Sequence, residues 1–168
     1  MRRLAIVILV IQMLMLLGAP SAKANNFEEV NQFFANLTDA LNAQDLDRVT
    51  ASWFDDGELF TLAGGIIKGR DNIRQSFIEA FNGPFKNAKY QYLVQYVRFN
   101  GKTATVDGIW KTQNGPANYP SCGIFLGNLI KKDGHWKIQL SYSTVPKTGH
   151  TSEIGRTLSW TKICSSPN

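Results

Sequence analysis

Residues 41–81 read LNAQDLDRVTASWFDDGELFTLAGGIIKGRDNIRQSFIEAF, and the order of elements in this stretch decides the fold. Asp45 stands where a helix N-cap is needed, with a carboxylate able to accept from free backbone N–H groups. Leu46, Val49 and Trp53 follow at helical spacing and give a short helix one apolar face. Asp55-Asp56-Gly57 is expected to break that helix, and Glu58 to Leu62 alternates as a half-buried strand does. Gly64-Gly65 marks a turn, and a strand stub follows it. Gly69-Arg70-Asp71 opens a further helix whose buried side carries Ile73, Phe77, Ala80 and Phe81.

Upstream, Asn26 and Glu29 have the spacing of a capping box. Phe27, Val30, Phe34, Leu37 and Leu41 then form the apolar stripe of an amphipathic helix. Asn36-Leu37-Thr38 matches a glycosylation sequon but falls in mid-helix, where chance explains it. Downstream, Asn82-Gly83-Pro84 ends the helical region. Lys89 to Phe99 reads as a long strand, and Asn100-Gly101 is a hairpin signal compatible with a type I′ turn. Thr103 to Thr112 returns with Ala104, Val106, Gly108 and Trp110 on one face, and Thr105, Asp107, Ile109 and Lys111 on a more solvated one. Gln113 to Pro120 is a loop, Gly123 to Lys131 a strand, Asp133-Gly134 a turn, and Trp136 to Thr144 the last strand. Trp136, Ile138, Leu140 and Tyr142 are expected to share one face of it. Helices first and a strand meander after them define an α+β chain.

Three pieces of this pattern resemble the nuclear transport factor 2-like superfamily and, within it, the SnoaL-like group: Leu41 to Asp47, Trp53 to Asp56, and Lys68 to Arg74. The resemblance covers roughly residues 26–146. It implies a cone-shaped roll, in which a curved, mostly antiparallel sheet packs around three N-terminal helices and encloses a cavity, commonly as a homodimer. Its members include isomerases, dehydratases, cyclases, hydrolases and plain binding or association modules.

The first 24 residues have the form of a signal peptide. Arg2 and Arg3 are followed by an apolar run, Leu4 to Leu17, and by Ala22-Lys23-Ala24, an A-x-A cleavage signal. That run of 14 residues is shorter than the ~20 that span a bilayer. The expected product is a SnoaL-like domain over 25–146 with a C-terminal extension over 147–168, periplasmic or secreted, and free of the membrane once cleaved. Cleavage removes three of the 18 basic residues and leaves 15 against 13 acids. Lys131-Lys132 is then the only basic doublet, so the basic stripe that nucleic acid requires is absent. Two cysteines in an exported chain suggest a Cys122–Cys164 disulfide. Closing that 43-residue loop would contribute about 4 kcal/mol in the chain-entropy model and pin the extension to the domain. Within the extension, Thr157 to Ile163 alternates as a short strand would.

Chemistry is harder to place. Nucleophile-elbow, zinc-protease, dithiol and phosphate-loop motifs are missing. His135 lies in a turn and His150 in the extension, so no metal site or cofactor is expected. Alignment with the steroid isomerases of the superfamily puts Leu37 and Thr61 where those enzymes have a Tyr donor and an Asp base, and Leu126 or Gly127 where they have a second acid. In many SnoaL-like relatives the last strand carries histidines at positions matching Leu140 and Tyr142. The candidate cavity wall is therefore aromatic: Trp53, Trp110, Trp136 and Tyr142, with Tyr92 and Asn128 as polar groups. Asp56 and Tyr142 are the weak candidates for proton transfer, beside a simpler reading of Asp55, Asp56 and Glu58 as exposed turn acids. The leading expectation is a small apolar or aromatic ligand bound in the cone. The alternatives are a cyclase, dehydratase or hydrolase, or a homo-oligomeric assembly module.

Overall fold

The computed structural model describes residues 22–145, with side chains from Asn26 onward. Most of the signal segment, the C-terminal extension, its predicted strand, His150 and Cys164 lie outside the described residues. The chain divides into residues 1–30 and residues 31–168. Helix α1 (Ala22–Asn42) begins in the first unit, so the predicted cap at Asn26 falls inside a helix. Ala22, Lys23 and Ala24 are good helix formers and carry the helix upstream of it.

The second unit is an α+β roll. Helices α2 (Leu46–Ala51) and α3 (Arg70–Asn82) accompany the end of α1. The six strands are β1 (Trp53–Phe60), β2 (Ile66–Lys68), β3 (Lys89–Asn100), β4 (Thr103–Gln113), β5 (Cys122–Lys132) and β6 (His135–Thr144). They form one curved sheet in the order β2-β1-β6-β5-β4-β3. All neighbours are antiparallel except β1 and β6.

Local chemistry sets the joints. Asp45 caps α2 as expected, its Oδ1 accepting from the Arg48 backbone N–H at 3.0 Å. Asn42, the last residue of α1, uses its amide as a strand would. Its Nδ2 donates to the Tyr90 carbonyl (3.0 Å) and its Oδ1 accepts from the Tyr90 N–H (2.7 Å), which fastens the helix end to β3. Asp133 and Gly134 both have positive φ, 51° and 82°, as the β5–β6 hairpin requires. At the β3–β4 hairpin the pair Asn100 and Thr103 puts Gly101-Lys102 at the centre of the turn, one residue later than predicted. Gly101 alone of these two has positive φ, 58°, the pattern of a II′ rather than a I′ turn.

Two further expectations are corrected. Asp55-Asp56-Gly57 does not break a helix: α2 ends at Ala51, and the three residues lie within β1, where the register shifts between Trp53 and Glu58. The other correction is in β6, where the register shifts opposite Asn128 and Leu129. A bulge adds one residue to one strand and so inverts the facing of everything after it. Trp136 and Ile138 face the helices as predicted, but beyond the bulge Ser141 and Ser143 take that face. Leu140 and Tyr142 point away from it.

The predicted faces of β4 hold on the helix side, where Ala104, Val106 and Trp110 are buried. On the other side Ile109 is also buried, because its cross-strand neighbours Leu93 and Ile124 are apolar as well. The core of the second unit gathers Phe34, Leu37, Leu41, Val49, Trp53, Ile73, Phe81, Phe125, Leu129 and Ile138.

Candidate functional site

Between the helices and the sheet lies an enclosed cavity of about 50 Å³. Helix α1 supplies Phe34, Leu37 and Leu41 to its wall, and α3 supplies Phe77. Trp53 and Leu59 come from β1, Tyr92 from β3, Phe125, Gly127 and Leu129 from β5, and Ile138, Ser141 and Ser143 from β6. Phe34, Tyr92 and Phe125 form one aromatic cluster, with ring centroids 5.0 to 6.0 Å apart. Part of the space exists because position 127 is a glycine. A Cβ there would meet only ordinary contacts, 3.8 Å from the Leu140 carbonyl and 4.0 Å from Phe34.

The polar groups of this wall are few: the Trp53 indole, the Tyr92 phenol and two serine hydroxyls. Trp53 is 3% exposed, and its Nε1–H has no acceptor among the described residues. A buried donor left unpaired costs ~1–3 kcal/mol. Burial, and then the neighbouring Tyr119, push the Tyr92 phenol up to about 12. It therefore stays protonated at any physiological pH, a donor rather than a base. No carboxylate, histidine or cysteine is among the residues that line the cavity.

The predicted site residues separate into different places. Trp53 and Tyr92 line the cavity. Trp110 is buried further along the same face, donates from Nε1 to the Ile124 carbonyl (3.1 Å) and packs near Tyr119. Trp136 lies at the other end of the strands, against Phe99 and under the Lys131 ammonium. Asn128 is exposed on the outward face, its Oδ1 accepting from Thr105 at 3.2 Å. It was expected to be buried, but the inward positions of β5 are Phe125, Gly127 and Leu129, and the period of two excludes it. Tyr142 is 43% exposed, meets Phe60 edge-on, and borders a surface hollow rather than the cavity.

Asp56 is likewise outside, exposed and accepting from the Gln139 amide at 3.3 Å. Its neighbours are tied down as surface ion pairs, Asp55 to Arg70 and Glu58 to Lys68, each at 2.7 Å. Asp55 and Asp56 are exposed, as the simpler reading expects, but they lie on β1 with the half-buried Glu58 rather than in a turn, and neither candidate proton carrier reaches the cavity. At the aligned steroid-isomerase positions, Leu37 and Gly127 do line the wall, without polar groups to offer. Leu126 points outward, and Thr61 hydrogen-bonds the Gly65 backbone in the β1–β2 turn.

Sequence reasoning missed Ser141 and Ser143. Ser143 borders both the cavity and the hollow of about 510 Å³ framed by Thr61 to Gly64, Tyr119 and Tyr142. Ser143 is thus common to the cavity and the hollow. No alternation rule finds these serines, because a bulge leaves no mark in an alternating sequence.

A curved sheet closing on three helices around a mostly apolar cavity defines a class of ligand-binding and enzymatic domains. Residues 22–141 match the model of the SnoaL-like domain, and the chain belongs to that family, within the nuclear transport factor 2-like superfamily. No curated protein matches the sequence. Among solved structures, an NTF-2-like protein of unknown function from Shewanella oneidensis is similar at 17% identity and TM-score 0.62, over 71% of this chain and 98% of that one. A protein of unknown function with a cystatin-like fold from Nostoc punctiforme gives 19% and 0.63, over 74% and 94%. A proposed scytalone dehydratase from Novosphingobium aromaticivorans gives 16% and 0.63, over 80% and 96%. At these identities the likeness is one of fold.

Proposed function

We propose that this SnoaL-like domain is exported and holds a small apolar or aromatic ligand, bearing one hydrogen-bond acceptor, in its cavity. The observation that carries this reading is the buried Trp53 Nε1–H, which has no acceptor among the described residues, in a mostly apolar wall. The cavity is small, about 50 Å³ against the ~150 Å³ that accepts benzene in an engineered core. A ring therefore enters only as the wall yields, and Leu59 and Phe77 are half-buried members of that wall. The absence of acids and histidines from the wall favours binding over proton-transfer catalysis.

Trp53→Phe separates the donor from the wall. Calorimetric titration of the wild type is expected to show phenol bound in preference to toluene, and the variant is expected to lose about ten-fold for phenol alone, one hydrogen bond's worth. Equal phenol affinities in the two proteins would sink the assignment of Trp53.

Export, a Cys122–Cys164 disulfide and homodimerisation belong to the same proposal. Supporting the bridge, Cys122 is not a free thiol. Supporting the dimer, Phe60, Tyr142, Leu126 and Tyr96 lie in one cross-strand row on the outward face, interrupted only by Asp107. Leu126, Tyr142 and Tyr96 are 41 to 52% exposed there. Native mass spectrometry of the exported fraction is expected to give a dimer of chains starting near Asn25, two hydrogens lighter per chain, with a small molecule released on denaturation. A monomer retaining residues 1–24 and free thiols would refute this part of the proposal.

A further inference from the structure

Apart from the cone cavity, the second unit has a groove of about 580 Å³ at the far end of the strands, within the ~300–1,000 Å³ range of small-molecule sites. Its walls come from mid-α1 (Phe33, Asn36), from α2 and the residue after it (Arg48, Ser52), and from the β5–β6 hairpin, residues 132–137. Arg48, Lys132 and Lys137 are among the residues that line it, against the single acid Asp133.

None of the three is in an ion pair among the described residues, whereas Lys68, Arg70 and Arg74 are each paired with an acid. Arg48 is directed across the groove by one long bond, Nη2 donating to the Asn36 carbonyl at 3.4 Å. That leaves most of its planar fork uncommitted. Trp136 lies among these residues, 7% exposed, and its Nε1–H is buried with no acceptor among the described residues. Lys131 adds a fourth ammonium 5.4 Å above that ring. The basic doublet of the sequence thus stands at the edge of a concave site with an aromatic floor.

We propose that this groove binds a small organic anion, an apolar or aromatic body against Phe33 and Trp136 with a phosphate or carboxylate held by Arg48, Lys132 and Lys137. Guanidinium and ammonium donors around an oxyanion form charge-assisted hydrogen bonds. The concave shape and the buried position of Trp136 fit a free small molecule rather than a membrane surface, which a protruding aromatic would engage. The site is independent of the cavity: the residues that line the two do not overlap.

The test is calorimetric titration of the full processed chain with 1-naphthyl phosphate, with neutral 1-naphthol as control. Naphthyl phosphate is expected to bind at least ten-fold tighter than naphthol, to weaken as salt rises, and to lose at least ten-fold in affinity in Arg48→Gln/Lys137→Gln. Both of these side chains lie at the surface, and a matched thermal midpoint confirms the fold of the variant. Asp133→Asn is expected to tighten binding by removing the opposing charge. Saturating toluene, a probe for the cone cavity, is expected to leave the affinity unchanged. Unchanged affinity in the double variant, displacement by toluene, or equal binding of naphthol would overturn the proposal. So would attachment to phosphatidylglycerol vesicles without binding of naphthyl phosphate.

Discussion

Gly108→Val is expected to cost more than ~3 kcal/mol, above the usual range for an overpacked core. Gly108 lies in the middle of β4, between Val94 on β3 and Phe125 on β5. A Cβ at this position would collide with the Leu93 carbonyl oxygen and lie 2.7 and 2.9 Å from two atoms of the Phe125 ring. The first neighbour is backbone in a paired strand, next to the register shift between Val94 and Tyr96, and it has no rotamer to escape into. Phe125 is held in turn by Phe34 at 5.0 Å and Tyr92 at 5.2 Å, so relief there deforms the cavity wall. Urea denaturation measures the loss directly, and toluene binding should disappear with it. A variant within ~1 kcal/mol of the wild type, at the low end of overpacking costs, would show that the sheet is looser at Gly108 than this packing requires.

Leu129→Ala should also be costly but opposite in its effect on ligands. Leu129 is fully buried and forms part of the cavity wall. Truncation is expected to lose ~2–5 kcal/mol, the transfer term plus the price of the hole. The hole adds to the existing cavity rather than standing alone, and the enlarged space should accept benzene or toluene more readily than the wild type does. Ligand at one hundred times its dissociation constant then returns about 2.7 kcal/mol, visible as a rise in thermal midpoint that the wild type shows only weakly. Loss of stability without this rescue would mean that the wall collapses on truncation, and that the cavity has no capacity to widen around a ring.

The two variants separate packing that builds the site from packing that limits it. Gly108 lets β3, β4 and β5 approach closely enough to bring Tyr92 and Phe125 together. Leu129 and Phe77 fill much of the space that this approach encloses. On this view the small cavity records how far the domain's own side chains occupy the cone, and Gly127 is where the sequence leaves room.

Much of this was legible from residue types and spacing. The cap at Asp45, the helix over 70–82, the Asp133-Gly134 turn and the four long strands each rest on local chemistry, where a residue's preference and its neighbours along the chain suffice. The family followed from the same local patterns, as did the burial of Trp53, Trp110 and Trp136, since large aromatics on alternating strand positions have nowhere else to go. What local pattern could not supply was the phase of a strand after a bulge and the place along its length where a cavity lies. The register shift in β6 sends Tyr142 outward and Ser141 and Ser143 inward. Strand direction then spreads Trp110, Trp53 and Trp136 over three separate environments. A bulge is chosen by the competition between two whole strands for register, and a cavity by whichever side chains from six elements fail to meet. Both are sums over residues far apart in the chain, which is why the sequence determined the fold and its aromatic core while only the tertiary structure decided which residues form the site.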